Sequence, residues 1–315
     1  MHQSVLLNEV IESLGVCPGG IYVDGTVGSG GHAEAILRAS SPDGRLIAID
    51  RDVDAVGRSG GRLSVWGERC RIIHSDYGDL KAVVNGMGIA EVNGVLLDLG
   101  VSSEQLDTPG RGFSFQSEGP LDMRMDQGQS LTAAQVVNTW PETVLADTFY
   151  QYAQETRSRR IARAIVEARS GAPIATTSRL ADVVARACGG RTGKIHPATR
   201  VFQALRMAVN DEMGILVRGL ESGLQVLANG GRMVVISFHS GEDRCVKTCF
   251  REHAGRWESL PQGGSAWVGR RPAVKWVHRR VVVASENERE DNPRARSAKL
   301  RVVERDDRCG VDPTV

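Results

Sequence analysis

The sequence predicts an α/β protein built on a doubly wound, mostly parallel sheet that carries an inserted helical subdomain. Three observations lead there. An apolar run, Ile21-Tyr22-Val23, meets the glycine-dense turn Asp24-Gly25-Thr26-Val27-Gly28-Ser29-Gly30-Gly31-His32 and then a helix-like segment. Strand, tight loop and helix N-terminus in that order let a backbone approach a ligand closely. Twenty residues past Gly30 a second apolar run, Leu46-Ile47-Ala48-Ile49, ends in Asp50. A carboxylate at that strand tip can accept hydrogen bonds from two ribose hydroxyls. Finally, the strand–helix alternation stops after Ser102 and resumes about a hundred residues later, far more chain than a crossover between neighbouring strands requires.

Size and composition suit this reading. With 315 residues the chain can hold one large or two modest cores, and 41% hydrophobic with 24% charged residues is ordinary for a soluble protein. No apolar run is long enough to span a bilayer, so no membrane partner is expected. Met1-His2-Gln3-Ser4 lacks the basic-then-apolar pattern of a signal peptide. The six cysteines, at 17, 70, 188, 245, 249 and 309, form no Cys-x-x-Cys pair. No zinc or redox motif is therefore expected, and the thiols read as those of a reduced, cytoplasmic enzyme. A net charge of +1 says nothing about nucleic acid, but its distribution does. Residues 270–301 hold ten Arg or Lys against four acids, and Arg157, Arg159, Arg160 and Arg163 crowd another segment. Such clusters either neutralise phosphates or form solvated faces.

Taken in order, residues 2–14 place Val5, Leu6, Val10 and Leu14 at helical spacing. The first strand, the glycine loop and a helix over 33–39 follow, and then a strand over 45–50 and a helix near 53–59. A third strand, Arg71-Ile72-Ile73-His74, leads to Tyr77, placed to stack on a nucleoside base. Gly94-Val95-Leu96-Leu97-Asp98 reads as a buried strand, and ligands of open α/β sheets bind beyond the carboxyl ends of strands, so Asp98 should share a cleft with Gly30 and Asp50. The segment 103–210 reads as helices: one capped by Ser130 over 131–138, one opened by Pro141, a long one over 154–170 and one over 177–188. Its first part, with Phe113, Phe115 and Arg124, reads as pocket-facing loop. Helices over 198–227 return the chain to the strand Arg232-Met233-Val234-Val235-Ile236, followed by His239 as a lone candidate for proton acceptance or substrate contact, and by a helix over 242–253. Val281-Val282-Val283 and Leu300-Arg301-Val302-Val303 would close the sheet as a hairpin with one antiparallel member, and the tail after Asp306 looks disordered. The expected domains are thus 1–102 with 211–315, and 103–210.

The glycines at 25, 28, 30 and 31, with Asp24 before them, depart from the dinucleotide spacing Gly-x-Gly-x-x-Gly and resemble the first motif of S-adenosylmethionine-dependent methyltransferases. Longer stretches narrow this. His2-Gln3-Ser4-Val5-Leu6-Leu7, Ile49-Asp50-Arg51-Asp52, Leu97-Asp98-Leu99-Gly100-Val101-Ser102-Ser103, Arg111-Gly112-Phe113-Ser114-Phe115, Gly119-Pro120-Leu121-Asp122-Met123-Arg124-Met125-Asp126, His196-Pro197-Ala198-Thr199-Arg200 and Asn292-Pro293-Arg294-Ala295-Arg296-Ser297 together resemble, over essentially the whole chain, the bacterial MraW/RsmH family of small-subunit ribosomal RNA cytosine-N4 methyltransferases. The resemblance implies a class I S-adenosylmethionine-dependent methyltransferase fold (Rossmann-like, seven strands, mostly parallel) with a helical substrate-recognition insert. It implies S-adenosyl-L-methionine held by Gly30, Gly31, His32, Asp50, Tyr77, Asp98 and Gln105. It further implies a target cytosine in the decoding region of 16S ribosomal RNA, a small-subunit particle as partner and a cytoplasmic location, and it leaves a homodimer open. Two departures stand out: Gly241 where the family usually has leucine, and Tyr152-Ala153-Gln154-Glu155 in place of a Tyr-Gly-acid-acid run.

Methyl transfer is an in-line displacement whose first requirement is alignment. Cytosine N4 is a poor nucleophile, because its lone pair is delocalised into the ring, so acceptors for its amino hydrogens would help. Asp98 is the candidate, with Val101-Ser102-Ser103 as further polar groups. The base must be splayed out of its RNA, with Phe113, Phe115, Arg124 and His239 as candidates to grip it. Rival readings are a methyltransferase of the same fold acting on another RNA or DNA base, a nicotinamide oxidoreductase and a silent RNA-binding protein. The glycine spacing disfavours the oxidoreductase, and the intact cofactor loop disfavours the silent binder.

Overall fold

The computed structural model describes residues 4–190, 196–259, 261 and 264–307. The expected helix start at His2 and the tail from 308 onward lie outside the described residues. The chain divides into two compact units, Met1–Gly100 with Gly214–Val315, and Val101–Met213. The first opens with α1 (Leu7–Leu14) and alternates β1 (Ile21–Asp24), α2 (Gly31–Ala39), β2 (Arg45–Asp50), α3 (Val53–Leu63), β3 (Cys70–His74), α4 (Leu80–Gly86) and β4 (Val92–Asp98). The second holds α5 (Ser103–Asp107), α6 (Ala133–Thr139), α7 (Glu142–Ala153), α8 (Ser158–Gly171), α9 (Thr177–Ala187) and α10 (Ala198–Val209). The chain returns through α11 (Glu212–Val226) to β5 (Leu227–Ser237), α12 (Ser240–Ala254), the antiparallel pair β6 (Arg256–Ser259) and β7 (Ser265–Val268), β8 (Val274–Trp276), α13 (Glu286–Asp291) and β9 (Lys299–Arg305).

Seven strands form one sheet in the order β3-β2-β1-β4-β5-β9-β8. The first five run parallel, and β9 is reversed against both β5 and β8. This is the class I methyltransferase arrangement, and its strand order reverses between β1 and β4. The central strands are buried on both faces, which explains their near-continuous apolar sequences. One face packs Leu46, Leu96, Val234 and Ile236 against α1 and α2 residues such as Val10 and Ile36, each fully buried side chain contributing about 1.5–3 kcal/mol. On the sheet's other side α11 approaches closely because it lacks side chains where it touches: a Cβ on Gly223 would sit 2.8 Å from Met233 Cε, and one on Gly219 would run into the Tyr77 ring.

The closing hairpin differs from the sequence expectation. The seventh strand is Val274–Trp276, and Val282 forms only an isolated bridge to Leu300. The reason is burial: Ala273 and Val274 are sequestered beside β9, whereas Val283 is exposed. In the second unit, α6 is capped by Thr132 in a reciprocal box with Gln135, two residues after the expected Ser130. The expected helix over 154–170 begins only at Ser158, because Gln154 sits in the left-handed region (φ +51°) and closes α7. A non-glycine residue there costs about 1–2 kcal/mol, while Ala153, where the family usually has glycine, keeps ordinary helical backbone as the last residue of α7.

The second unit has its own core, in which Phe149, Ile161, Ile165, Leu180, Val184, Val201 and Leu205 interdigitate. Its irregular segment 109–129, which the sequence reads as pocket-facing loop, instead sends several side chains into this core. Leu121, Met123 and Met125 are buried, and polar side chains satisfy the backbone that no helix or strand serves. Arg111 donates to the carbonyls of Arg124 and Met125, and Asn210 donates to Met123 O while accepting from Met125 N–H.

Candidate active site

The carboxyl ends of β1, β2 and β4 bring together the groups that the sequence placed on separate strands. The loop after β1 is pinned to its neighbours by backbone: Gly25 N–H donates to Leu96 O and Val27 N–H to Ile49 O. Gly28 and Gly30 hold φ of +51° and +83°, conformations that disfavour any side chain. A Cβ on Gly28 would meet only Thr26 O, at 3.9 Å, so the loop's crest faces open space. Gly30 is the N-cap of α2 and has no side chain to cap it, while Gly31 begins the helix against the Ser4 hydroxyl.

Asp50 closes the loop from the β2 side. Its carboxylate accepts from Gly28 N–H (2.8 Å) and from Asp52 N–H (2.9 Å). A carboxylate offers about four lone-pair positions, so two remain for hydroxyls. Burial raises the Asp50 carboxyl above the ordinary range, opposed by these two N–H donors.

Three ionisable groups meet at the β1/β4 reversal. Asp24 is fully buried, accepts from Thr26 N–H at 3.1 Å and is pushed up to about 7 by desolvation, with His32 pulling the other way. His32 is buried on α2 with Nε2 3.6 Å from Asp98 Oδ2. Burial alone would lower the imidazole, but the Asp98 carboxylate, then Asp24 and Glu288, outweigh it and raise it. The backbone of Asp98 is fixed by its N–H to Thr26 Oγ1 at 2.7 Å. Among the described residues, Asp98 Oδ1 and both His32 ring nitrogens are buried without a hydrogen-bond partner. Orphaned buried polar atoms are costly. Beside an uncapped helix N-terminus and a strand-tip carboxylate, they fit a polar nucleoside ligand.

Tyr77 follows β3 in the turn capped by Asp76, its ring laid against Gly219 and half-buried. The site therefore contains Gly30, Gly31, His32, Asp50 and Asp98 at one sheet edge, with Tyr77 at the end of the adjoining strand. The sequence reading did not assign roles to Thr26 and Glu288. Thr26 stands close to Asp24 in the loop and was findable as a hydroxyl at the strand tip. Glu288 is 256 residues from His32, and no local pattern connects them.

The remaining candidates have structural partners. Gln105 is the third residue of α5, in a reciprocal capping box with Ser102. Phe113 is buried in the core of the second unit, and Phe115 packs edge-on against Phe202 at 4.9 Å and beside His196. Arg124 is clamped by both oxygens of Asp122 and by the carbonyls of Gln127 and Gln129. His239 caps α12 by accepting from Glu242 N–H. Gly241 suits that cap, because a Cβ there would press on the His239 ring at 3.1–3.2 Å. Phe113, Arg124 and His239 thus have architectural duties that sequence spacing did not reveal. Much of the basic stretch after 270 is also paired within the fold: Arg270 with Glu221 and Glu252, Lys275 with Glu304 and Asp306, and Lys299 and Arg301 with Asp243.

A family model described as the MraW methylase family matches residues 1–306. A protein named ribosomal RNA small subunit methyltransferase H from Syntrophobacter fumaroxidans is 48% identical over 306 residues, covering 96% of each chain. One of the same name from Syntrophotalea carbinolica is 49% identical over 306 residues, 96% of this chain and 98% of that one. Among solved structures, a putative rRNA methylase from Clostridium thermocellum aligns with 96% of this chain and 99% of its own at 12% identity and a TM-score of 0.44. With a family model matched along nearly its whole length and relatives almost half identical to it, the chain belongs to the MraW methylase family, whose methyl donor is S-adenosyl-L-methionine.

Proposed function

We propose that this protein methylates the exocyclic N4 of a cytosine in the decoding region of 16S ribosomal RNA, acting on a small-subunit particle in the cytoplasm. The relatives' names support the small-subunit RNA, and the family resemblance carried by the sequence motifs supports the base and the atom. No helix among the described residues is long and apolar enough to cross a membrane.

In this reading Gly30, Gly31 and the N-terminus of α2 hold the amino-acid end of the cofactor, Asp50 takes the ribose hydroxyls, and Tyr77 lies against the base. S-adenosyl-L-methionine supplies an electrophilic methyl group on a sulfonium. The chain's own task is then to orient the amine and accept charge from it. The Asp98 carboxylate is the acceptor for the amino hydrogens, and it favours the pyramidal nitrogen on which positive charge develops. Thr26 fixes the Asp98 backbone, and His32, facing Oδ2, sets the carboxylate's orientation. Gln105 is assigned to the cofactor by the family resemblance alone, and Phe115 and His239 are candidates for contact with the extruded base. The helical unit 101–213 takes the role of RNA recognition.

The observation that carries this reading is the Asp98 carboxylate at the strand reversal, its side chain 25% exposed and its Oδ1 without a hydrogen-bond partner among the described residues. The test is nucleoside mass spectrometry of small-subunit particles incubated with protein and isotope-labelled cofactor. Labelled N4-methylcytidine is expected, and Asp98→Ala should cut turnover about 10²-fold or more at saturating cofactor while leaving RNA affinity within about twofold. Label on cytosine C5 or on another base, or undiminished turnover in Asp98→Ala, would overturn it.

A further inference from the structure

We propose that Glu221, Cys249 and His253 form a site for a single zinc ion that ties α11 to α12, remote in sequence from every cofactor residue and independent of the function proposed above. Cys249 and His253 are one turn apart on α12 and so project from the same helix face. Glu221 comes from α11, and the ligand atoms of all three lie within 4.8 Å of one another. His253 Nε2 is 3.3 Å from Glu221 Oε2, and Cys249 Sγ is 4.0 Å from Glu221 Oε1. A tetrahedral zinc with ordinary Zn–N, Zn–O and Zn–S bond lengths holds such atoms about 3.3–3.6 Å apart, so the His253–Glu221 pair already has that spacing and Cys249 Sγ must move closer to complete the set.

The other ring nitrogen of His253 is already engaged. His253 Nδ1 lies 2.8 Å from Pro272 O, and a carbonyl only accepts, so Nδ1 carries the hydrogen. With Nδ1 so engaged, Nε2 faces the Glu221 carboxylate, and either a second ring proton or a cation between them satisfies that contact. An imidazole oriented through its second nitrogen by a carbonyl is the usual arrangement of a metal-bound histidine. His253 is fully buried, which fixes its ring. Arg270 bonds Glu221 Oε1 at 2.6 Å and Glu252 at 3.3 Å, leaving Oε2 as the carboxylate donor. The mixed N, S and O set favours zinc over magnesium or calcium, and three protein ligands leave a fourth position for water. No Cys-x-x-Cys spacing announces the site, because two of its ligands follow helix geometry and the third comes from another helix.

The test uses the full-length, metal-stripped protein titrated with cobalt(II) and then zinc. Expected is one equivalent of cobalt with a thiolate-to-metal charge-transfer band, displaced stoichiometrically by zinc. The band should persist in the remote control Cys17→Ser and disappear in Cys249→Ser. His253→Gln should weaken zinc retention at least tenfold. Should His253→Gln fail to fold, the near-isosteric Cys249→Ser still decides, with circular dichroism confirming its fold. No charge-transfer band in the wild-type protein would mean an imidazolium–carboxylate contact instead of a metal site and would overturn the proposal. So would a band that survives Cys249→Ser.

Discussion

Asp24 shows what one buried carboxyl does to the molecule. Desolvation raises its folded-state value from 3.8 to about 7, so between those limits the fold keeps a proton that the unfolded chain has released. Stability contributed by that proton is present at low pH and declines as pH rises from about 4 to 7. The integrated effect is on the order of 4 kcal/mol at most. Asp24→Asn keeps an oxygen for Thr26 N–H and should flatten this decline in urea-unfolding measurements of the cofactor-free protein. Parallel pH curves for the two proteins would refute it. The His32 value is also raised, which adds a loss of the same sign as pH climbs through its folded value. The informative quantity is therefore the difference between wild type and variant.

Among the elements, the start of α1 and the loop before α6 are held by polar side chains. Leu6 is fully buried in the left-handed region (φ +55°), and its N–H donates to Glu288 Oε1 at 2.7 Å. Glu288→Ala leaves that N–H unpaired and should destabilise the protein by about 1–3 kcal/mol, read as a lower urea midpoint with an unchanged slope. In the second unit the Arg124 guanidinium serves Asp122 and two carbonyls at once. Lysine cannot reproduce that fork, so Arg124→Lys should lower thermal stability. An unchanged melting temperature would free Arg124 for the base-gripping role that its sequence context suggested.

For the molecule as a whole, the question is which positive charges remain available to RNA. Arg157 donates to Cys188 O, and Arg163 lies 3.7 Å from Glu142, while Arg159 and Arg160 are exposed on α8. If these two tether phosphates, the double variant Arg159→Glu/Arg160→Glu should weaken small-subunit RNA binding. It should also reduce the slope of log K against log salt by about 0.7–0.9 for each phosphate no longer neutralised. An unchanged slope would leave them as a solvated face. Charge clustering in the sequence did not separate α8 from the stretch after Arg270, because an ion pair such as Arg301 with Asp243 spans 58 residues.

What the sequence determined by itself was the alternation of strands and helices, the glycine loop, the strand-tip acids Asp50 and Asp98 and the family. Each of these is written in local periodicity or in contiguous motifs, because backbone conformation and strand-end placement depend on near neighbours. Tertiary structure alone decided which three-residue run became β8, that Phe113 and Arg124 serve the architecture of the second unit, and that His32 faces Asp98 while Glu288 bears on both Leu6 and His32. Burial and pairing of that kind arise between residues tens to hundreds of positions apart, and no spacing along the chain encodes them.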